Sequence, residues 1–377
     1  MKSDIFIIGA GLSGLTAAIN LAKAGYKVRV YERNPDVGMR FHGDIQGLEN
    51  WTSEEDVLKS LRRMNIKISF PYSARYSQEL YDDDLNKAFL KSEARKPFYY
   101  LVRRGSLRDT LDYSLKKQAE ESGVEIIYNK KMGIKDTRNT KDKWIIATGS
   151  LDSSATAPEK SGIIKGVAAG ITFETNAKDR SIAILDDSIA PKAYAYLLIW
   201  DKKGTLATCM FENFDKGNEC LQKSIERFKK IINFDMKNIK RFGGFVNFLL
   251  FSPRKTNTEK NRLYVGECAG FQDYLWGFGM GYAITSGYLA AKSIIENKDY
   301  DALWKSEFGG LLKTSMSNRY LFEKLGNSGY KRLIMMLKNN PSWFLMKNYN
   351  PSPIKKMVYP IARIKLKKSS ALNIAGV

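Results

Sequence analysis

Residues Ile5–Ile8 form an uninterrupted apolar run, the mark of a strand buried on both faces of a parallel sheet. Small and apolar residues then recur at helical spacing from Leu15 to Ala24, Gly25 closes that helix, and Lys27–Tyr31 reads as a second strand. Strand followed by helix recurs at 101–126 and at 261–294, and 141–150 holds a short buried strand. Residues 188–214 alternate apolar and polar positions, which predicts two antiparallel strands around the turn Asp201-Lys202-Lys203-Gly204 with one face buried. The pattern predicts an α/β fold: a Rossmann-type parallel sheet, interrupted by a domain with an antiparallel sheet and followed by a helical C-terminal region. No apolar run reaches the ~18 residues of a membrane-crossing helix, so none is expected, nor is a secretory leader, a repeat or a low-complexity tract.

Length and composition sharpen this. The 377 residues suffice for two domains or one large domain with an insertion, and 44% hydrophobic residues supply a core. Three cysteines (Cys209, Cys220, Cys268) and one histidine, His42, fit neither a zinc site nor a disulfide framework, which points to a reducing intracellular compartment. A net charge of +21 implies an acidic partner: nucleic acid, an anionic membrane or a phosphorylated substrate.

The first strand ends in Gly9, Gly11 and Gly14, spaced G-x-G-x-x-G, with a helix behind them. Gly9 permits the tight turn, Gly11 lets a pyrophosphate approach the backbone, and Gly14 lets helix and strand pack closely. Leu12 and Ser13 lie in the helix's first turn, where free N–H groups and the positive dipole end face phosphate. Glu32 follows Gly14 by eighteen residues, the place of a carboxylate that accepts a ribose hydroxyl, with Arg33 beside it. A dinucleotide site is expected here. No second such glycine motif follows a strand, so no separate nicotinamide domain is expected.

Further motifs separate the cofactor classes. The strand in 141–150 ends in Ala147-Thr148-Gly149, as flavoproteins with this first motif commonly do. Residues 266–271 read Gly-Glu-Cys-Ala-Gly-Phe, and Gly277, Gly279 and Met280 open the helix behind them, with Gly281 a further glycine. The arrangement resembles the FAD-dependent superfamily of para-hydroxybenzoate hydroxylase and the geranylgeranyl reductases, whose late motif reads roughly G-D-A-A-G-F-x-x-P-x-x-G-x-G. The resemblance implies FAD as cofactor, a ribityl contact from Glu267 (a glutamate where the family has aspartate) and a glycine turn facing the flavin. The family's proline between Phe271 and Gly277 is absent. Residues 101–126 resemble the family's R-x-x-L-x-x-x-L helix, which makes Arg104 the expected FAD contact, with Arg103 second.

The resemblance also suggests the reaction. Hydroxylases of the family carry D-G near the A-T-G position, and none occurs at 147–155. Geranylgeranyl reductases carry P-x-x-Y-x-W-x-F-P on a strand lining a lipid tunnel. Pro191, Tyr194, Tyr196 and Leu198 align with its first four marked positions, and the second proline is absent. Their V-G-x-x-x-R-C-G-like loop is similar to residues 37–43, with His42 at or next to the flavin-side cysteine and Arg40 before it. His42 is thereby expected as proton donor to a reduced double bond, as a covalent flavin tether, or as an ordinary loop residue. Asp44 and Arg40 are expected to orient ring or substrate. The run "GDIQGLENWT" carries polar residues and glycines with no assignable mechanism.

The expected protein is therefore a FAD-dependent oxidoreductase that reduces carbon–carbon double bonds of an isoprenoid or lipid-like substrate, with NADPH or a ferredoxin-like protein as external electron donor. The catalytic candidates are His42, Tyr194 and Tyr196. A flavin monooxygenase and a non-catalytic membrane-associated flavoprotein are the alternatives. The FAD domain is expected from 1–50, 100–150 and 260–300, the substrate side from 51–99 and 151–259, and a basic helical region from 301–377. Residues 311–377 hold thirteen Lys and Arg against one acid, Glu323, interleaved with aromatics and aliphatics. Such a segment can lie on an anionic membrane, or pack over the FAD domain with a solvated basic face; the expected location is cytoplasmic, peripheral at the inner face of the membrane. Nucleic acid is not expected, because no recognised module for it is present.

Overall fold

The computed structural model describes residues 4–92, 96–137, 140–149, 163–249, 254, 256, 257, 259–339 and 348–374. Its first unit is the predicted strand–helix–strand: β1 (Ile5–Ile8), α1 (Leu12–Lys23) and β2 (Val28–Tyr31). Ile5, Ile7, Leu15 and Ile19 are fully buried. Each such side chain contributes about 1.5–3 kcal/mol of transfer free energy. The sheet is wholly parallel and runs β15 (Arg262–Tyr264), β9 (Lys143–Ile146), β1, β2, β8 (Glu125–Ile127). The helices α3 (Leu111–Glu121) and α5 (Met280–Glu296) flank α1. The α1–α5 crossing is close because Gly287 faces the α1 backbone: a Cβ there would lie 2.1 Å from the Ser13 carbonyl oxygen.

The antiparallel domain is a seven-stranded sheet in the order β14, β10, β13, β12, β11, β5, β6. These are Lys237–Leu249, Ile163–Glu174, Lys203–Met210, Ala195–Trp200, Arg180–Ile184, Ser77–Tyr81 and Lys87–Lys91. Only the β11–β5 pairing is parallel. Strands β12 and β13 form the predicted hairpin. Its turn is tighter than the sequence indicates, because Asp201 (φ 49°) and Lys202 (φ 58°) both take left-handed conformations and Trp200 pairs with Lys203. Two left-handed central residues match the strand twist, and aspartate tolerates that conformation better than most residues. The carboxylate of Asp201 accepts from Arg103 at 2.7 Å, which ties this turn to the other domain.

A third sheet joins the two, with β7 (Tyr99–Arg103) central between β3 (Ile45–Glu49) and β4 (Tyr72–Arg75). Segment 51–99 is therefore divided, β4 going to this sheet and β5–β6 to the larger one. The helix α2 (Val57–Arg63) precedes β4, and α4 (Gly217–Ile231) packs on the large sheet. The C-terminal region is helical: α6 (Tyr300–Phe322), α7 (Gly326–Asn339) and α8 (Pro353–Ile374).

Candidate functional site

One continuous cavity of about 840 Å³ runs from the β1–α1 turn to the antiparallel sheet. At its first end Gly9 has φ +102°, and a Cβ would stand 2.3 Å from the Ala147 carbonyl oxygen. Gly14 is equally constrained, its Cβ position lying 2.0 Å from the Gly9 oxygen. Gly11 differs: nothing lies within 4 Å of its missing Cβ, and it lines the cavity. It also caps α1 without a side chain, leaving the helix's first N–H groups for a ligand. The three glycines thus divide their roles, two closing the turn and one opening a cradle of pyrophosphate size.

Glu32 ends β2 with its carboxylate fixed. Oε2 accepts from the Ala10 N–H at 2.9 Å, and Oε1 accepts from the Asn34 N–H at 2.9 Å and from Asn34 Nδ2 at 2.8 Å. A carboxylate offers about four acceptor sites, so one remains for a ribose hydroxyl. Arg33 stands exposed at the same rim. Lys130 and Lys131 join it, a pair that sequence reasoning passed over. Their placement follows from β2–β8 pairing, continued by the Lys130 N–H donating to the Glu32 carbonyl at 2.8 Å.

The other motifs of the parallel sheet converge on the cavity's middle. Ala147, Thr148 and Gly149 line it at the end of β9, and Thr148 Oγ1 is buried with no hydrogen-bond partner. Glu267, Gly277, Gly279 and Met280 line the opposite wall. Gly266 does not reach the cavity. Its left-handed φ of +65° sets the Glu267 turn instead, and a Cβ there would meet Ser13 Oγ at 2.7 Å. Glu267 is partly exposed, its Oε2 lying 3.4 Å from Arg40 Nη1. Leu12 and Ser13 complete this wall.

Arg104 lines the cavity, and Arg103 is turned away from it toward Asp109 and Asp201. The Arg104 guanidinium grips Asp112 through Nε at 2.8 Å and Nη2 at 2.9 Å, and it lies 4.2 Å over the Phe41 ring. With Nη1 donating to Gln46 Oε1 at 3.4 Å, three of its five N–H donors are used within the protein, so it shapes the wall more than it offers a free cation.

His42 requires a correction. Its side chain is exposed and is not among the residues lining the cavity. The physical reason is local: its N–H donates to Asp44 Oδ1 at 2.8 Å, a tight turn that puts the Phe41 ring and the Asp44 carboxyl on the cavity side. Asp44 is buried, and burial raises its pKa above the ordinary carboxylate value against the opposing pull of the His42 N–H. The titratable group that this loop presents is thus a carboxyl.

The far half of the cavity is aromatic. Tyr194 and Tyr196 line it with ring centroids 6.1 Å apart, beside Trp276, Phe278, Trp51 and Leu198. Burial pushes both tyrosine pKa values well up, and the Cys209 thiol to about 12, so all three stay neutral. The run "GDIQGLENWT" holds β3, with Gln46 and Gly47 of the strand and Trp51 just beyond it on the cavity wall. Gly47 makes room there, a Cβ meeting the Phe278 ring at 3.0 Å and the Tyr99 ring at 3.2 Å.

Below this wall lies Asp273, buried and raised to about 7 chiefly by loss of solvation. Its Oδ2 accepts from the Trp276 N–H, and its Oδ1 makes no hydrogen bond. The Tyr349 hydroxyl is close enough to affect its titration but forms no hydrogen bond of normal geometry.

Fold and site together define a Rossmann-type α/β unit, whose glycine turn has the form of a dinucleotide cradle, with an antiparallel domain lining the same cavity. Residues 7–47 match the family model described as an NAD(P)-binding Rossmann-like domain. Thiamine thiazole synthase of Saccharolobus solfataricus is 40% identical over 68 residues, 18% of this chain and 26% of that enzyme. The thiamine thiazole synthase of Saccharolobus islandicus is 38% identical over 68 residues, again 18% of this chain and 26% of that enzyme. The chain therefore spans about a quarter of these curated relatives' length.

Solved structures match over almost the whole chain. A geranylgeranyl bacteriochlorophyll reductase-like protein of Thermoplasma acidophilum superposes with TM-score 0.70 at 18% identity, covering 98% of this chain and 100% of that one. The flavin-dependent brominase Bmp2 gives 0.62 at 15% identity, covering 97% and 99%. A structure described as a probable FAD-dependent monooxygenase of Pseudomonas aeruginosa gives 0.60 at 14% identity, covering 88% and 99%. The chain has the fold these proteins share, and the α/β architecture expected from the sequence is the one found.

Proposed function

We propose that the chain is a FAD-dependent oxidoreductase that reduces carbon–carbon double bonds of an apolar, isoprenoid or lipid-like substrate. One observation carries this reading: a single cavity of about 840 Å³ joins a dinucleotide cradle to an aromatic and aliphatic chamber. The residues present fit FAD. Gly11 leaves the pyrophosphate its space, Glu32 retains an acceptor site for the ribose, and Thr148 lines the same cavity with the Cys268 thiol beside its hydroxyl. Reduced FAD supplies a hydride equivalent.

The chain's own side chains do the rest. Tyr194, Tyr196 and Leu198 bind the apolar substrate and exclude water. Asp44 holds the proton that a reduced double bond must receive, its buried carboxyl retaining it to higher pH than an exposed one. Arg40 and Glu267 hold the middle of the cofactor. Electrons come from an external donor, NADPH or a ferredoxin-like protein. The deciding experiment is anaerobic turnover of the FAD-loaded, reduced protein with a polyunsaturated isoprenoid. Gain of hydrogen pairs in the product, by mass spectrometry, supports the reading, and no gain with any isoprenoid rejects it. A second reading, a flavin monooxygenase of an apolar substrate, is supported by the fold shared with the Pseudomonas aeruginosa structure. Oxygen consumption coupled to a hydroxylated product would establish it.

A further inference from the structure

The helix α8 carries two apolar stripes, and among the described residues only one packs against the core. On the inner side Ala362 and Leu366 are buried, with Val358 and Tyr359 packed against the same core, and the helix lies along α6. The Ser317 hydroxyl of α6 donates to the Lys355 carbonyl at 3.1 Å, and the Lys355 ammonium donates to the Asn318 side chain. These contacts fix which face of α8 points outward.

The outward face is apolar too. Ile354, Met357, Ile361 and Ile364 are exposed by 70%, 76%, 52% and 58%. Their spacing of i, i+3, i+7 and i+10 places them in one line along the helix. Scattered exposed apolar residues need no explanation, but four large ones aligned on one helix do. At 100° per residue, exposed Lys365 falls about 60° from the middle of this line on one side, and exposed Lys356 and Arg363 fall about 120–140° from it on the other. The chain contains no Asp or Glu after Glu323, so no acid on α8 or α7 neutralises these cations.

We propose that the outer stripe of α8 is a docking face for an anionic lipid surface, with the helix lying in the plane of the interface. The apolar line enters the acyl boundary, Lys365 flanks it, and the long side chains of Lys356 and Arg363 reach lipid phosphates from higher on the helix. No helix of the described residues is long and apolar enough to cross a membrane, so the helix rests on the bilayer. A second copy of the chain is the poorer occupant, because stripe-on-stripe pairing would bring like charges of both copies together with no acid in residues 324–377 to offset them. The cavity reaches Leu333 on α7 and Tyr349 just ahead of α8. If the substrate is lipid-like, as the function proposed above has it, docking brings that end of the cavity close to the bilayer. The docking itself does not depend on that function.

The test is co-sedimentation of the full-length, FAD-loaded protein with vesicles of phosphatidylcholine alone and of phosphatidylcholine with phosphatidylglycerol. Binding should be at least tenfold stronger to the anionic vesicles and should weaken as salt is raised. The double variant Met357→Gln, Ile361→Gln should lose at least tenfold, with an unchanged far-ultraviolet spectrum and melting temperature showing that it folds. The triple variant Lys356→Gln, Arg363→Gln, Lys365→Gln should lose the preference for anionic lipid. No sedimentation with anionic vesicles overturns the proposal, and so does undiminished binding of both variants. A dimer seen by analytical ultracentrifugation in the wild type and lost in the Met357→Gln, Ile361→Gln protein would assign the stripe to a second copy and likewise overturn it. None of these readouts uses turnover, so membrane docking and the reductase reading fail independently.

Discussion

The Tyr194 hydroxyl donates a 2.5 Å hydrogen bond to the carbonyl oxygen of Trp276, and the two rings meet edge to face at 5.4 Å. Tyr194 immediately precedes β12 of the antiparallel sheet, whereas Trp276 lies in the glycine turn before α5. The contact therefore locks the antiparallel sheet to the glycine turn before α5 across 82 residues of sequence. Removing the hydroxyl leaves a partly buried carbonyl without its donor, a change worth about 1–3 kcal/mol. Tyr194→Phe should lower stability by about that amount in urea unfolding, retain FAD, and raise the KM for an apolar substrate more than it lowers kcat. A loss of FAD binding instead would mean that this contact holds the cofactor turn itself.

The glycines of the first motif should separate folding from binding. A methyl at Gly9 or Gly14 meets backbone oxygen at 2.3 Å or 2.0 Å, so Gly14→Ala should destabilise the fold by several kcal/mol or abolish expression. Nothing lies within 4 Å of the missing Cβ of Gly11, so Gly11→Val should fold with a melting temperature near that of the parent. Its isopropyl group then occupies the pyrophosphate space, and FAD affinity should fall at least tenfold in fluorescence titration. Tight FAD binding by Gly11→Val would place the cofactor elsewhere.

Local signals made the nucleotide half of this fold readable. The apolar run at Ile5–Ile8, three glycines at fixed spacing and Glu32 each act within one strand–turn–helix unit, and the structure assembles them as that unit. Lys130 and Lys131 were not readable, because they reach the rim only through pairing of β8 with β2, about a hundred residues apart. The run 43–52 was opaque for a similar reason. Gly47 answers to Tyr99 and Phe278, residues far along the chain that no local pattern connects to it. His42 misled because spacing places a residue on a loop but not on a side of it. The hydrogen bond from its N–H to Asp44 sets the side, and Asp44 faces the cavity.

That turn yields a paired prediction. Since the His42 side chain is exposed and away from the cavity, His42→Ala should keep turnover within about twofold and leave FAD binding unchanged. Its N–H remains to hold Asp44, so the loop should keep its shape. FAD should be released into the supernatant on acid precipitation of either protein. Asp44→Asn keeps the acceptor for that N–H but removes the transferable proton, and kcat should fall at least tenfold with little change in substrate KM. The reverse pattern, loss in His42→Ala and tolerance in Asp44→Asn, would return the proton to the imidazole.

Asp273 supplies the pH dependence. Burial raises its pKa to about 7, from an ordinary value near 4, so the folded protein holds this proton over a range in which the unfolded chain releases it. Its contribution is therefore fully present below about pH 4, is lost progressively as pH rises from there to 7, and changes no further above that. Three units at 1.36 kcal/mol each set an upper bound of about 4 kcal/mol. Asp273→Asn keeps an oxygen to accept from the Trp276 N–H and cannot ionise. The variant should accordingly be about 2–4 kcal/mol more stable than the parent at pH 8, with the gain unchanged down to about pH 7 and shrinking from there toward pH 5, in urea unfolding at several pH values. A gain independent of pH would show that Asp273 titrates normally and that its unpartnered Oδ1 is reached by solvent.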